Sequence, residues 1–139
     1  MTLLCKLNKK EKALMSKYFS LNELKCKCGK CGSTGEEMDV EFMNELDKLR
    51  EKVGPLVLPS AYRCPEYNSK VSSTGLNGPH TTGKSADISC RGQHAFVVLW
   101  QAMNLGFTGI GINQKGNARF IHLDMLTSPQ YPRPNVWSY

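Results

Sequence analysis

One segment of this chain admits a single reading. Between Asp39 and Val53, the residues Phe42, Met43, Leu46, Leu49 and Val53 recur three and four positions apart, which lines one face of an α-helix. Gly54-Pro55 ends it, since proline removes a backbone donor and restricts the residue before it. A helix with one apolar face has to lie against another layer, and the segments available for that layer are short.

Most of those segments carry strand signals. Leu56-Val57-Leu58 starts a strand expected to run past Pro59 into Ser60-Ala61-Tyr62-Arg63. Pro65 suits the first turn of a short helix carrying Tyr67, Asn68 and Val71. A loop rich in glycine spans residues 72–83. Ser85-Ala86-Asp87-Ile88-Ser89 alternates as a half-buried strand does. A helix near 94–105 is expected to bury Phe96, Val97, Trp100 and Met103, with Gly106 as its left-handed cap. Residues 109–112 and 118–125 then form a hairpin around 113–117. Upstream, residues 8–18 read as a lysine-rich amphipathic helix with Ala13, Leu14 and Phe19 as apolar contacts. Ser20-Leu21-Asn22-Glu23 has the form of a capping box. This order predicts an α+β fold, a small antiparallel sheet with helices packed around it.

Composition narrows the class. At 139 residues and 40% hydrophobic, the chain fits one domain with a real core, not a disordered polymer. Its longest apolar run, residues 95–100, falls far short of the roughly 20 that a membrane span needs, so no membrane insertion is expected. The start, Met1-Thr2-Leu3-Leu4-Cys5-Lys6, lacks the form of a secretory signal, and synthesis in the cytoplasm is the expectation. The net charge of +6 is not concentrated in a tract. Lysines 6, 9, 10, 12 and 17 alternate with Glu11 and apolar residues, as on a solvated helix face. No nucleic-acid motif is present, so no nucleic-acid partner is expected, and a monomer is.

Three of six cysteines cluster as Cys26-Lys27-Cys28-Gly29-Lys30-Cys31-Gly32. A closed structural zinc site needs four ligands, so a second ion here would require Cys5, Cys64 or Cys90 as the fourth. A disulfide formed after export is another reading. Plain thiols in a glycine-rich turn is the third, and it is preferred, leaving one catalytic ion as the expected metal content. Cys64 reads as a small buried hydrophobe.

The histidines are few, and two have carboxylate company. His80 and Asp87 are separated by six residues, with Gly83 among them to let the loop double back. Extended, those steps would span about 25 Å, so a shared ion requires the loop to fold over. On a strand over 118–125, Phe120, His122 and Asp124 share one face. Pairing with strand 85–89 would set Asp87 beside His122. Two imidazoles and a carboxylate make an open zinc site, which activates a water and polarises a carbonyl. Asp124 is the nearest carboxylate able to take the water's proton. His94, at a helix start, reads as a surface or capping residue, and Tyr62 and Trp100 as core aromatics. Trp137 and Tyr139 read as packing down the C-terminus.

Several spaced motifs together carry a resemblance: Ser60-Ala61-Tyr62-Arg63-Cys64-Pro65-x-x-Asn68, Pro79-His80-x-x-Gly83-Lys84-x-Ala86-Asp87-Ile88, Phe120-Ile121-His122-Leu123-Asp124 and Trp137-Ser138-Tyr139. From about Phe19 to the C-terminus the chain resembles the zinc D-alanyl-D-alanine carboxypeptidase family, of the lysostaphin, D-Ala-D-Ala metallopeptidase and Hedgehog type, and above all its short bacterial and phage endolysin-like members. The resemblance implies a single zinc peptidase domain over 1–139, with 1–18 as a helical extension. It implies His80, Asp87 and His122 as zinc ligands and Arg63 as the grip on a substrate carboxylate or carbonyl. Gly78 stands where relatives often have serine. Arg119 and Phe120 stand where relatives place a catalytic Glu or His, which leaves Asp124 as the expected general base. The implied activity is cleavage of peptidoglycan stem peptides, as a D,D-carboxypeptidase or an L,D- or D,D-endopeptidase. A phage or prophage lysis enzyme released to the cell wall by a holin fits this, as does a cytoplasmic enzyme acting on precursors. The alternative is a catalytically silent metal-binding module that recognises cell-wall or peptide ligands.

Overall fold

The structure, a computed structural model, describes residues 15–139. Cys5 and residues 8–14 of the expected first helix lie outside the described residues. Residues 15–18, its expected last turn, are not helical. Ser16 Oγ donates to Asp47 Oδ1 (2.6 Å) and accepts from the Tyr18 and Phe19 amides, local bonds that replace the helical ladder.

Helix α1 (Leu21–Leu24) opens on the capping box, Ser20 and Glu23 satisfying each other's backbone N–H. Helix α2 (Val40–Val53) is capped by Asp39, whose carboxylate accepts from the Phe42 amide at 2.9 Å, and it ends at Gly54. It buries Phe42, Met43, Leu46 and Leu49. Strand β1 (Val57–Ser60) stops earlier than expected, because the next backbone donors turn elsewhere: Tyr62 N–H to Leu24 O and Arg63 N–H to His80 O. Helix α3 (Pro65–Val71) follows, then two 3₁₀ turns (Gly75–Asn77 and Pro79–Thr82), β2 (Ser85–Ser89), α4 (Gly92–Leu105), β3 (Gly109–Asn113), β4 (Phe120–Asp124) and β5 (Asn135–Ser138). Among the described residues no helix is long and apolar enough to cross a membrane.

The five strands form one sheet in the order β1-β2-β4-β3-β5. The first four pair antiparallel as expected, but β5 joins the edge parallel to β3, so the sheet is mixed. The segment after β4 crosses back before pairing, which gives β5 the direction of β3.

Cross-strand register divides the sheet into two unlike faces. Ala86, Ile88, Ile110, Ile121 and Leu123 are buried in the hydrophobic core shared with the apolar residues of α2 and α4. On the other face, Ser60, Asp87, His122, Gly111 and Trp137 form a row across all five strands, each opposite the next.

Helix α4 turns the other way from expectation. Phe96, Trp100 and Met103 are 57–68% exposed, while Ala95, Val98 and Ala102 are buried. The helix packs through its small residues, which let its backbone approach the core closely. Trp100 is therefore not a core aromatic, whereas Tyr62 packs half-buried against the core.

Candidate metal centre

Asp87 and His122 reach the same point because β2 and β4 pair them directly. His80 arrives from the 3₁₀ turn Pro79–Thr82, which Gly83 ends in the left-handed conformation (φ 76°). A Cβ on Gly83 would also strike the backbone carbonyl of Glu37. That glycine therefore serves both conformation and close approach, and it folds the 80–87 loop over the sheet.

The three side chains converge. His80 Nε2 and His122 Nδ1 each lie 3.1 Å from Asp87 Oδ1 and 3.3 Å from one another. They are 5%, 6% and 2% exposed for His80, Asp87 and His122 respectively. The far nitrogen of each ring has an acceptor: His80 Nδ1–H donates to Ala61 O (2.6 Å) and His122 Nε2–H to Asp124 Oδ2 (2.8 Å). Those bonds fix the tautomers and turn the bare nitrogens inward. Three electron-pair donors facing one buried point require a cation between them, so the residues fit a metal of the zinc type.

Burial drives Asp87 up, but His80 and His122 outweigh it and hold the carboxyl well below the ordinary carboxylate range. Burial disfavours a charged His122, yet the Asp124 and Asp87 carboxylates raise its pKa above the ordinary imidazole value. Burial likewise opposes a charged Asp124, but hydrogen bonds from His122 and Arg133 lower it to about 2.

Asp124 does not stand where a base is needed. It has no exposed surface, and Arg133 grips both its oxygens, Nε to Oδ1 at 2.9 Å and Nη2 to Oδ2 at 2.8 Å. With His122 also bound to it, the carboxylate is closed off from the water side of the centre. Asp124, the expected general base, thus lies behind His122 and is not among the residues that line the cleft.

Arg63 does stand beside the centre, its Nη2 3.5 Å from Asp87 Oδ2. Ser60 Oγ accepts from its Nε (2.9 Å) and Asn68 Oδ1 from its Nη1 (3.1 Å). Buried Asn68 is held in turn by its own donation to Thr74 Oγ1 at 2.9 Å. A Cβ on Gly78 would collide with both Thr74 and Asn68, so the glycine that replaces the expected serine makes room for this network.

The centre opens onto a cleft of about 940 Å³, walled by Phe120, Tyr131, Trp137 and Tyr139. The Trp137 ring lies 5.2 Å from the His122 ring at a tilt of 49°, and Tyr139 lies 5.1 Å from Phe120, so these terminal aromatics line the cleft wall. Gly111 is bare beneath them: a Cβ there would meet Trp137 Nε1 at 2.6 Å. Among the described residues, Asp87 is the one carboxylate lining the cleft. His94, half-buried at the start of α4, takes no part in the cluster.

Residues 17–124 match the family described as peptidase M15. This chain belongs to the peptidase M15 family. The match spans the centre from His80 to His122 and stops at Asp124, short of Arg133 and the terminal aromatics. No curated protein matches the chain. As an M15 peptidase it is of a zinc-dependent type, and the His80–Asp87–His122 cluster is one donor set among the described residues that could hold such an ion. Arg133 and Asn68 complete the centre, and sequence reasoning gave neither a role. Arg133 sits in an irregular stretch between two prolines, where no periodicity points inward. Asn68 appears only as a residue of the short helix and of a motif. Trp137 and Tyr139 did leave a signal, the two-residue spacing that puts both on one face of a strand.

Proposed function

We propose that this protein hydrolyses peptide bonds in the stem peptides of peptidoglycan, as a D,D-carboxypeptidase or an L,D- or D,D-endopeptidase of phage or prophage type. The observation that carries it is a guanidinium 3.5 Å from the carboxylate of a buried His–Asp–His cluster, at the floor of an open cleft. His80, Asp87 and His122 would hold a zinc ion, whose Lewis acidity would serve to activate water and polarise a scissile carbonyl.

The chain's own residues do the rest. Arg63, steadied by Ser60 and Asn68, binds a substrate carboxylate or carbonyl oxygen and stabilises the negative charge that grows there. Ala61 O and Asp124 hold the two imidazoles in the tautomers that face the ion, and Arg133 keeps Asp124 ionised. Trp137, Tyr139 and Phe120 offer flat apolar surface to the substrate and limit water at the floor.

A second reading has an observation of its own. Among the described residues, no carboxylate or imidazole outside the ligand set lines the cleft, which favours a silent module that binds wall peptides without cutting them. Hydrolysis of purified muropeptides with and without a chelator separates the two. Chelator-sensitive release of a stem-peptide product is expected. Binding without cleavage, with zinc fully loaded, would leave the module in its place.

A further inference from the structure

Far from the His–Asp–His cluster in sequence, a second set of metal-ligating side chains comes together. Cys26, Cys28 and Cys31 lie on the loop after α1, and Cys64 lies between β1 and α3. The four Sγ atoms are all within 4.8 Å of one another, and Cys64 Sγ is 3.9 Å from Cys28 Sγ. Four sulfurs at about 2.3 Å from one zinc sit about 3.8 Å apart at the corners of a tetrahedron. A disulfide would need about 2.05 Å, and all four are free thiols. The preferred reading of the sequence, plain thiols in a glycine-rich turn, leaves this convergence unexplained.

The backbone is arranged around thiolates. Cys64 N–H donates to Cys26 Sγ (3.2 Å), Lys30 N–H to Cys28 Sγ (3.4 Å) and Tyr67 N–H to Cys64 Sγ (3.4 Å). Such N–H donors stabilise sulfur that carries negative charge. Gly29 and Gly32, one residue after Cys28 and Cys31, both have φ of 73°, with open space where a Cβ would be. They are thus required for backbone conformation and not for room. Lys27, Lys30 and Lys70 line the same small pocket with one carboxylate, Glu66, a net positive surround suited to a centre whose four thiolates exceed the charge of one divalent ion.

We propose that Cys26, Cys28, Cys31 and Cys64 bind a second zinc ion as a closed four-thiolate site. Each thiol gives up its proton as the ion binds. The site joins two segments 38 residues apart, Cys26 and Cys64, at the root of Arg63, the residue immediately before Cys64. Cys64 also caps α3, the helix that carries Asn68 to Arg63. The ion therefore acts as a fastener behind the substrate-binding guanidinium and touches no substrate. This consequence for Arg63 rests on the peptidase reading; the metal site itself does not.

The test counts metal and reads its ligands. Full-length protein purified under reducing conditions is expected to hold two zinc ions per chain by elemental analysis. C28S and C31S are each expected to hold one, and so is H122A, which lacks only the other site. Cobalt in place of zinc in the unmutated protein is expected to give a thiolate-to-cobalt charge-transfer band that a thiol-blocking reagent abolishes. That spectrum needs no variant to fold, and C31H, which keeps a zinc donor, is expected to restore the second ion. Absence of the thiolate band from the cobalt-loaded unmutated protein, whatever its ion count, or a disulfide among these cysteines in reduced protein would each overturn the proposal. Failure to cleave muropeptides with two ions bound would refute the peptidase reading alone.

Discussion

Asp124→Asn separates two roles that the same carboxylate has been given. Arg133 presents two donors to its two oxygens, and His122 Nε2–H presents a third. An amide has one acceptor oxygen and an NH₂ in place of the other, so Asn sets a donor against either Arg133 or His122. If the amide nitrogen faces His122, the ring loses the tautomer that points Nδ1 at the metal. Such outer partners of a ligand histidine are worth about 10–100-fold in metal affinity, or about 1.4–2.8 kcal/mol. The metal-free fold also weakens. A buried carboxyl lowered to about 2 from an ordinary 3.8 contributes about 2 kcal/mol. Because that pKa is depressed, the contribution is present above pH 4 and is lost as the pH falls through about 2. Chelator-competition titration of the His–Asp–His site, with urea unfolding of metal-free protein at pH 7 and pH 3, reads both effects. The expected result is weaker zinc binding, a loss of stability at pH 7 that narrows at pH 3, and substantial turnover once zinc is saturating. Unchanged zinc affinity with turnover abolished would refute the orienting role and return Asp124 to that of general base.

Arg63→Lys keeps the charge but loses the fork that Ser60 and Asn68 hold, and kcat/KM on muropeptides should fall about 10–100-fold, the worth of one or two hydrogen bonds to a charged group; an unchanged value would remove Arg63 from substrate binding. Gly111→Ala should push Trp137 and Tyr139 off the cleft wall, costing about 1–3 kcal/mol in urea unfolding with a shift in tryptophan emission; native emission and stability would show that the wall yields freely. The raised pKa of His122 stabilises the metal-free fold below about pH 6.5 and is lost as the pH climbs through the higher folded value. Protons and zinc compete there, so zinc should raise the melting temperature more at pH 8 than at pH 6, and equal shifts would contradict the competition. Trp100→Gln should change stability by no more than about 0.5 kcal/mol, since the ring is exposed, and a core-sized loss would restore the inward reading of α4.

Where one physical signal dominated, the sequence was a sound guide. The 3- and 4-residue spacing of Phe42 to Leu49 defined α2, and Asp39 supplied the cap. Alternation placed Asp87 on one face of β2 and His122 on one face of β4, and the observed pairing sets the two opposite one another. Helix α4 shows why the rest was harder. Its sequence carries two apolar stripes, Phe96-Trp100-Met103 and Ala95-Val98-Ala102, and hydrophobicity alone favours the larger. Burial went to the smaller because close approach to α2 and the sheet needs small side chains, a requirement set by distant parts of the chain. Asp124 shows the same limit. Its place on the face of His122 was readable, but its role depends on Arg133, nine residues on in an irregular loop. The fourth thiol behaves likewise, since nothing local to Cys64 announces the loop that folds against it.

The row of residues across the sheet has a consequence for how the chain finds its pairing. A one-residue slip of β2 against β4 would set Asp87 opposite Ile121 or Leu123, and the donor set would exist nowhere on the surface. An ion that binds two histidines and an aspartate only in the correct alignment rewards that alignment alone, lowering its energy relative to every shifted competitor. Zinc supplied during refolding should therefore raise the yield of correctly paired strands and slow amide exchange first along β2 and β4. The centre that serves chemistry in the finished protein would also proofread the assembly of the sheet on which it is built.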